Sequence, residues 1–138
     1  MKQVVFGLIL FVIIPFTYAQ QTYVPDDNFE QALIDLGYDD VLDDSVLTAT
    51  ISTVGSLYLE NKNISDLTGI EDFSNLSILQ VHSNGLTSID VSNNTLLTYL
   101  NLNNNDLTSL DISNNTLLTQ LYANNNELTS MDVTNNDT

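Results

Sequence analysis

Residues 100–120 read LNLNNNDLTSLDISNNTLLTQ, and the chain on either side says the same thing again. VHSNGLTSIDVSNNTLLTY (81–99) fits the same frame upstream, and YANNNELTSMDVTNN (122–136) fits it downstream. Copies begin at Leu79, Leu100 and Leu121, a period of 21 residues, and an earlier copy runs 22 residues from Leu57 to Leu79. One fixed period of this size specifies a solenoid. No single unit can bury its apolar side until a neighbour stacks on it.

The frame is L-x-x-L-x-L-x-x-N-x-L. Leu97, Leu100, Leu102, Asn105 and Leu107 fill it in one copy, and Leu118, Leu121, Ala123, Asn126 and Leu128 fill it in the next. Upstream the same places hold Leu76, Leu79, Val81, Asn84 and Leu86, and before them Val54, Leu57, Leu59, Lys62 and Ile64. Leucines at alternate positions leave a short strand on one side, so stacked coils bury them in a column. The asparagine can bond backbone at the turn and tolerates left-handed geometry. Lys62, standing where asparagine is expected, marks the first coil, which has no earlier asparagine to stack on. Each unit also echoes itself: Leu110-x-Ile112-x-x-Asn115 follows Leu100-x-Leu102-x-x-Asn105, and Ile89, Val91, Asn94 and Met131, Val133, Asn136 do the same. The fold predicted is a leucine-rich repeat solenoid: short parallel β-strands, a convex side of turns and extended chain, and an N-terminal helical cap. Four coils are expected over residues 54–138, the last incomplete.

Residues 20–53 supply the cap region. Asp27 is placed to cap a helix with Glu30 three residues on, and Phe29, Ala32, Leu33 and Leu36 share one helical face. Gly37 is placed to end it. A single short amphipathic helix must cover something, and the open end of the first coil is available. Asp39, Asp40, Asp43 and Asp44 suggest calcium, but their spacing lacks the pattern of an EF-hand loop, so a solvated acidic turn is expected.

Residues 1–19 read as a signal peptide. Lys2 precedes an apolar run from Val4 to Ile14, Pro15 breaks it, and Thr17-Tyr18-Ala19 offers small residues for cleavage before Gln20. The run is far short of the ~20 residues that span a bilayer, so no membrane span is expected after cleavage. The chain would then be secreted or on the cell surface.

The chain carries 18 acidic residues against two lysines, a net charge of −16. That argues against nucleic acid, whose phosphates need Lys and Arg, and against anionic lipid. With no cysteine there are no disulfides, thiolate metal sites or thiol nucleophile.

LTSLDISNNTLLTQL (107–121) and its copies resemble the leucine-rich repeats of secreted and surface proteins of Bacteroidetes bacteria, which also resemble internalin repeats. TYVPDDNFEQALIDLGYDD (22–40), followed by ISDLTGIEDFSNL (64–76), is similar to the N-terminal cap and first repeat of those proteins. The resemblance implies a surface or secreted binding module. Many such proteins are longer and end in a sorting domain. This sequence stops at Thr138 inside a repeat, so a truncated reading frame or a fragment is an open alternative.

Strand residues between the leucines face solvent and line up across coils. Ser56, Ile78, Tyr99 and Gln120 form one column, Tyr58, Gln80, Asn101 and Tyr122 the next, and Glu60, His82, Asn103 and Asn124 the third. Tyr58, Glu60, Gln80, His82, Tyr99, Asn101, Asn103, Gln120, Tyr122 and Asn124 are the candidate concave-face ligand-binding residues. Tyrosine brings area with one polar tip, and Asn and Gln bring paired donors and acceptors, which suits a protein or a glycan partner. His82 is the only histidine, and Glu60, one coil away, is its only evident partner. With no Ser, Lys or Arg cluster to complete a set, no catalytic residue, metal or cofactor is expected, and the protein is expected not to be an enzyme. Asp90, Asp111 and Asp132, at the 21-residue spacing, are expected to bond turn amides. Two readings compete with a binding module: a structural repeat fragment with no ligand, and an ice- or mineral-binding solenoid using the Thr87, Thr108, Thr129 column beside Ser88, Ser109 and Ser130.

Overall fold

The computed structural model describes residues 19–133, 135 and 136. The leader expected over residues 1–19 therefore lies, but for Ala19, outside the described residues. The described chain is a leucine-rich repeat solenoid, and the cap and the coils share one continuous apolar core from Val24 to Leu118.

The cap contains more than a helix. Strand β1 (Gln21–Tyr23) pairs antiparallel with β2 (Ser45–Leu47), Thr22 facing Val46. Helix α1 (Asp27–Asp35) lies between them in sequence, and a four-residue helix α2 (Thr48–Ile51) follows. Phe29, Ala32 and Leu33 bury the face that their spacing predicts, and Phe29 meets Phe73 of the first coil with ring centroids 6.3 Å apart. Leu36 departs from that stripe and is exposed. Gly37 takes φ 79°, the left-handed conformation expected just past the helix.

The N-terminus of α1 differs from expectation. Asp26, not Asp27, is the cap: its Oδ1 accepts from the N–H groups of Asn28 and Phe29. Its other oxygen, Oδ2, accepts from Ser65 N, Ser65 Oγ and Asp66 N in the first coil. One carboxylate thus starts the helix and ties it to the solenoid. Glu30 does not reach back to complete a capping box. It is fully buried and takes the N–H groups of Asp43, Asp44 and Ser45.

Desolvation raises the Asp26 pKa, but the bonds from Ser65, Phe29 and Asp66 outweigh it and hold the carboxyl below its ordinary value. A depressed folded-state pKa adds stability that is full above the unfolded value, about 3.9, and is lost as pH falls through the folded one. Asp26→Asn should therefore destabilise the protein at neutral pH by about 1–3 kcal/mol, and the gap between variant and parent should close as pH drops below about 4. Urea denaturation across pH 2–7 checks this, and a gap constant with pH would refute the charged clamp.

Strands β3 (Ser56–Tyr58), β4 (Ile78–Gln80), β5 (Tyr99–Asn101) and β7 (Gln120–Tyr122) form one parallel sheet in the order β3-β4-β5-β7. The opposite side carries β6 (Ser109–Asp111) and β8 (Ser130–Asp132), also parallel. Extended chain on both sides of the coil follows from the doubled unit in the sequence. In the first coil a 3-10 turn at Ile70–Asp72 takes the place of a second strand. Gly69, just before it, has φ 102°, and a Cβ there would sit 2.7 Å from the Tyr23 carbonyl oxygen. Cap and coil touch backbone to side there, and only glycine fits.

Two asparagine ladders hold the coils in register. Asn84 Nδ2 donates to the carbonyls of Leu59 and Val81, Asn105 Nδ2 to those of Val81 and Leu102, and Asn126 Nδ2 to those of Leu102 and Ala123. Their Oδ1 atoms accept from N–H groups one coil back: Lys62 and Ile64, Leu86, and Leu107 respectively. On the other side Asn94 donates to Ile70 and Phe73, Asn115 to Val91 and Asn94, and Asn136 to Asn115. The left-handed residue of each main turn is not the ladder asparagine. It is the residue just before it, Ser83, Asn104 and Asn125, while the first coil has Asn61 and Asn63 on either side of Lys62, all with φ between 56° and 59°.

Candidate functional site

The concave sheet sets the candidate residues side by side. Register pairs Tyr58 with Gln80, Gln80 with Asn101, and Asn101 with Tyr122, and pairs Tyr99 with Gln120 in the neighbouring column. The third column continues past the strand ends, where Asn61 N donates to the His82 carbonyl, Ser83 N to that of Asn103, and Asn104 N to that of Asn124. Glu60, His82, Asn103 and Asn124 therefore follow one another along the rim of the sheet. The alternation that buries Leu57, Leu79 and Leu100 turns their neighbours outward.

Aromatic side chains mark both ends of this face. Tyr58 is 46% exposed and Tyr122 40% exposed. Tyr99 and Tyr122 lie with ring centroids 5.5 Å apart and planes tilted by 40°. The contact is diagonal, since Tyr99 faces Gln120 and Tyr122 is two residues further on. It falls within the reach of large cross-strand side chains. The pair presents two amphipathic rings on a rigid backbone.

The polar members divide into those already engaged and those left free. Asn103 Oδ1 accepts from both N and Nδ2 of Asn124, and Asn101 Oδ1 accepts from Asn103 N. These bonds lock the lower rim. At the upper rim, Glu60 Oε2 and His82 Nδ1 are both shielded from solvent and neither has a hydrogen-bond partner. The cation nearest Glu60 in sequence, Lys62, goes elsewhere: its Nζ lies 3.1 Å from Asp35 Oδ2 of the cap.

The acidic turn is held from inside. Besides the bonds to Glu30, Asp43 Oδ1 accepts from Ser45 Oγ. Burial first, then the charges of Glu30, Asp43 and Asp40, hold the Asp39 carboxyl above its ordinary value, against a lowering bond from the Asp40 backbone. Among the described residues no three His, Asp or Glu side chains converge as a metal site requires. On the convex side Asp90 and Asp111 each accept from the amide two residues on, Ser92 and Ser113, and the Ser92 hydroxyl and amide hold Asp90 below its ordinary pKa. Among the described residues no helix is long and apolar enough to cross a membrane.

No family model matches the chain. Internalin J of Listeria monocytogenes serotype 4b (strain F2365) is 37% identical over 79 residues, which cover 57% of this chain and 8% of that protein. The solved functional domain of InlJ from Listeria monocytogenes, which includes a cysteine ladder, superposes with a TM-score of 0.76 at 36% identity, over 88% of this chain and 28% of that one. An internalin, inlF, from Listeria monocytogenes strain 4b F2365 shares the fold, with a TM-score of 0.70 at 23% identity over 83% of this chain and 38% of that one. The chain spans less than a tenth of internalin J. The present chain has no cysteine, and its ladders are built of asparagine.

Proposed function

We propose that this chain is an exported, non-enzymatic binding module that holds a protein partner on the concave sheet formed by β3, β4, β5 and β7. The observation that carries this reading is the exposed tyrosine set on that sheet, Tyr58 with the Tyr99–Tyr122 pair. Aromatic side chains on a preordered backbone lose little freedom on binding and bring both apolar area and a hydroxyl. Gln80, Asn101 and Gln120 lie between them as hydrogen-bonding groups. The likeness to internalins and the leader-like residues 1–19 support placement outside the cytoplasm, and the acidity of the chain suits an exported soluble surface.

The test is a binding screen of the full chain against arrayed extracellular proteins, with a glycan array in parallel. A saturable protein ligand is expected, and Tyr58→Ala with Tyr122→Ala should weaken it by about tenfold or more, the loss of two exposed aromatic anchors. A ligand held unchanged by the double variant would place the binding surface elsewhere. Saturable binding on the glycan array alone would overturn the choice of a protein partner.

A further inference from the structure

We infer that the upper rim of the concave face, built from Tyr58, Glu60 and His82, receives a basic side chain, arginine above all, from the bound partner. The inference rests on the concave-face reading above. Its starting point is that the Glu60 carboxylate has no donor among the described residues. Oε2 is shielded from water and unpartnered, and neither oxygen makes a hydrogen bond or ion pair to another described residue. A carboxylate in that state has given up part of its hydration and gained nothing for it, which native proteins seldom tolerate without a use.

Among the described residues no cation satisfies it. There are only two lysines and no arginine, and Lys2 lies outside the described residues. Lys62, two positions from Glu60, would be the natural partner, but the left-handed turn at Asn61 redirects the chain and Asp35 takes its ammonium. Among the described residues no cation is left over for Glu60, and a bound partner can supply one.

The neighbours of Glu60 match a guanidinium. Tyr58, two residues before Glu60 and 46% exposed, offers an aromatic face on which a planar cation stacks. The atoms open to an outside donor are Glu60 Oε1 and, one coil on, His82 Nε2, which accepts a hydrogen bond when the ring proton sits on Nδ1. Two acceptors and one ring fit the several donors and flat shape of arginine better than the point charge of lysine. Because Glu60 is already partly dehydrated, a partner cation meets a smaller desolvation cost there than at an exposed acid such as Asp40.

The probe is a fluorescein-labelled Gly-Ser-spaced arginine peptide, with a version carrying citrulline, the neutral isostere, in place of arginine. Anisotropy titrations would use the full chain, Glu60→Gln, Asp40→Asn and the Tyr58/Tyr122 double variant. Saturable binding of the arginine peptide is expected, with about tenfold weaker binding of the citrulline peptide and about tenfold loss in Glu60→Gln. Asp40→Asn, which removes one distant charge, should lose less than about twofold. Equal losses in Glu60→Gln and Asp40→Asn would reduce the effect to general attraction by an acidic protein and overturn the inference. Arginine-peptide binding that survives Glu60→Gln but fails in the tyrosine variant overturns the basic subsite and leaves the concave-face reading standing. Binding that survives both variants overturns the two together.

Discussion

Asn105→Ala should remove about 3–6 kcal/mol of folding stability, enough to unfold much of the protein, since domains are stable by only about 5–15 kcal/mol. Asn105 is almost wholly buried between coils. Its Nδ2 serves the carbonyls of Val81 and Leu102, and its Oδ1 serves the amide of Leu86. Alanine would strand three buried backbone groups where no water can replace the lost amide, at about 1–3 kcal/mol each. Asn114→Ala is the control, an exposed asparagine nine residues on with no hydrogen bond to another described residue, and should change stability by less than about 0.5 kcal/mol. Urea denaturation followed by circular dichroism checks both. An Asn105→Ala protein within about 1 kcal/mol of the parent would mean that leucine stacking alone holds the coils together.

Strand register was legible in the sequence because it is stated repeatedly. Side chains alternate with period two along a strand, and a shift of 22 residues and then of 21 carries each position onto its equivalent, so the Tyr58, Gln80, Asn101, Tyr122 column could be written down before any coordinates. The cap is stated only once, and there the sequence misleads. Asp26 and Asp27 are equally able to cap a helix. What selects Asp26 is a second oxygen that reaches Ser65 and Asp66, some 40 residues away, and no local pattern carries that information. Thr22 and Val46 likewise gave no sign that two three-residue strands would pair across the helix. Thr22 is buried because its hydroxyl bonds both Thr48 and Asp72, again across the cap-to-coil junction.

The candidate face divides along the same line. Which residues face outward follows from alternation. Which of them are free to bind does not, because that depends on where neighbours spend their bonds. Lys62 looks able to neutralise Glu60 until α1 places Asp35 beside it. Asn103 and Asn124 look like free polar groups until stacking bonds them to each other. Tyr99 and Tyr122 stand in different columns, and only sheet geometry brings their rings together.

Glu30→Ala should be about as damaging as the ladder variant, at about 3–6 kcal/mol, although its surroundings are charged and near the surface. The carboxylate is fully buried and accepts N–H bonds of 3.0, 3.1 and 2.9 Å from Asp43, Asp44 and Ser45. Those bonds fold the acidic turn so that β2 can pair with β1 directly after it. Asp44 sits there at φ 63°, in the left-handed region that aspartate enters more readily than most residues. Alanine would leave three amides unmatched and an empty space under the turn, and the turn should open. Glu30→Gln separates the two causes. It keeps the volume but sets an NH₂ group against one of the amides, so it should lose about 1–3 kcal/mol, mostly from bonding. Denaturation of both variants gives the sizes, and amide hydrogen exchange at Asp43, Asp44 and Ser45 gives the place. If Glu30→Gln matches the parent and those amides stay protected, the turn is held by the pairing of β1 with β2, and the carboxylate merely occupies space beneath it.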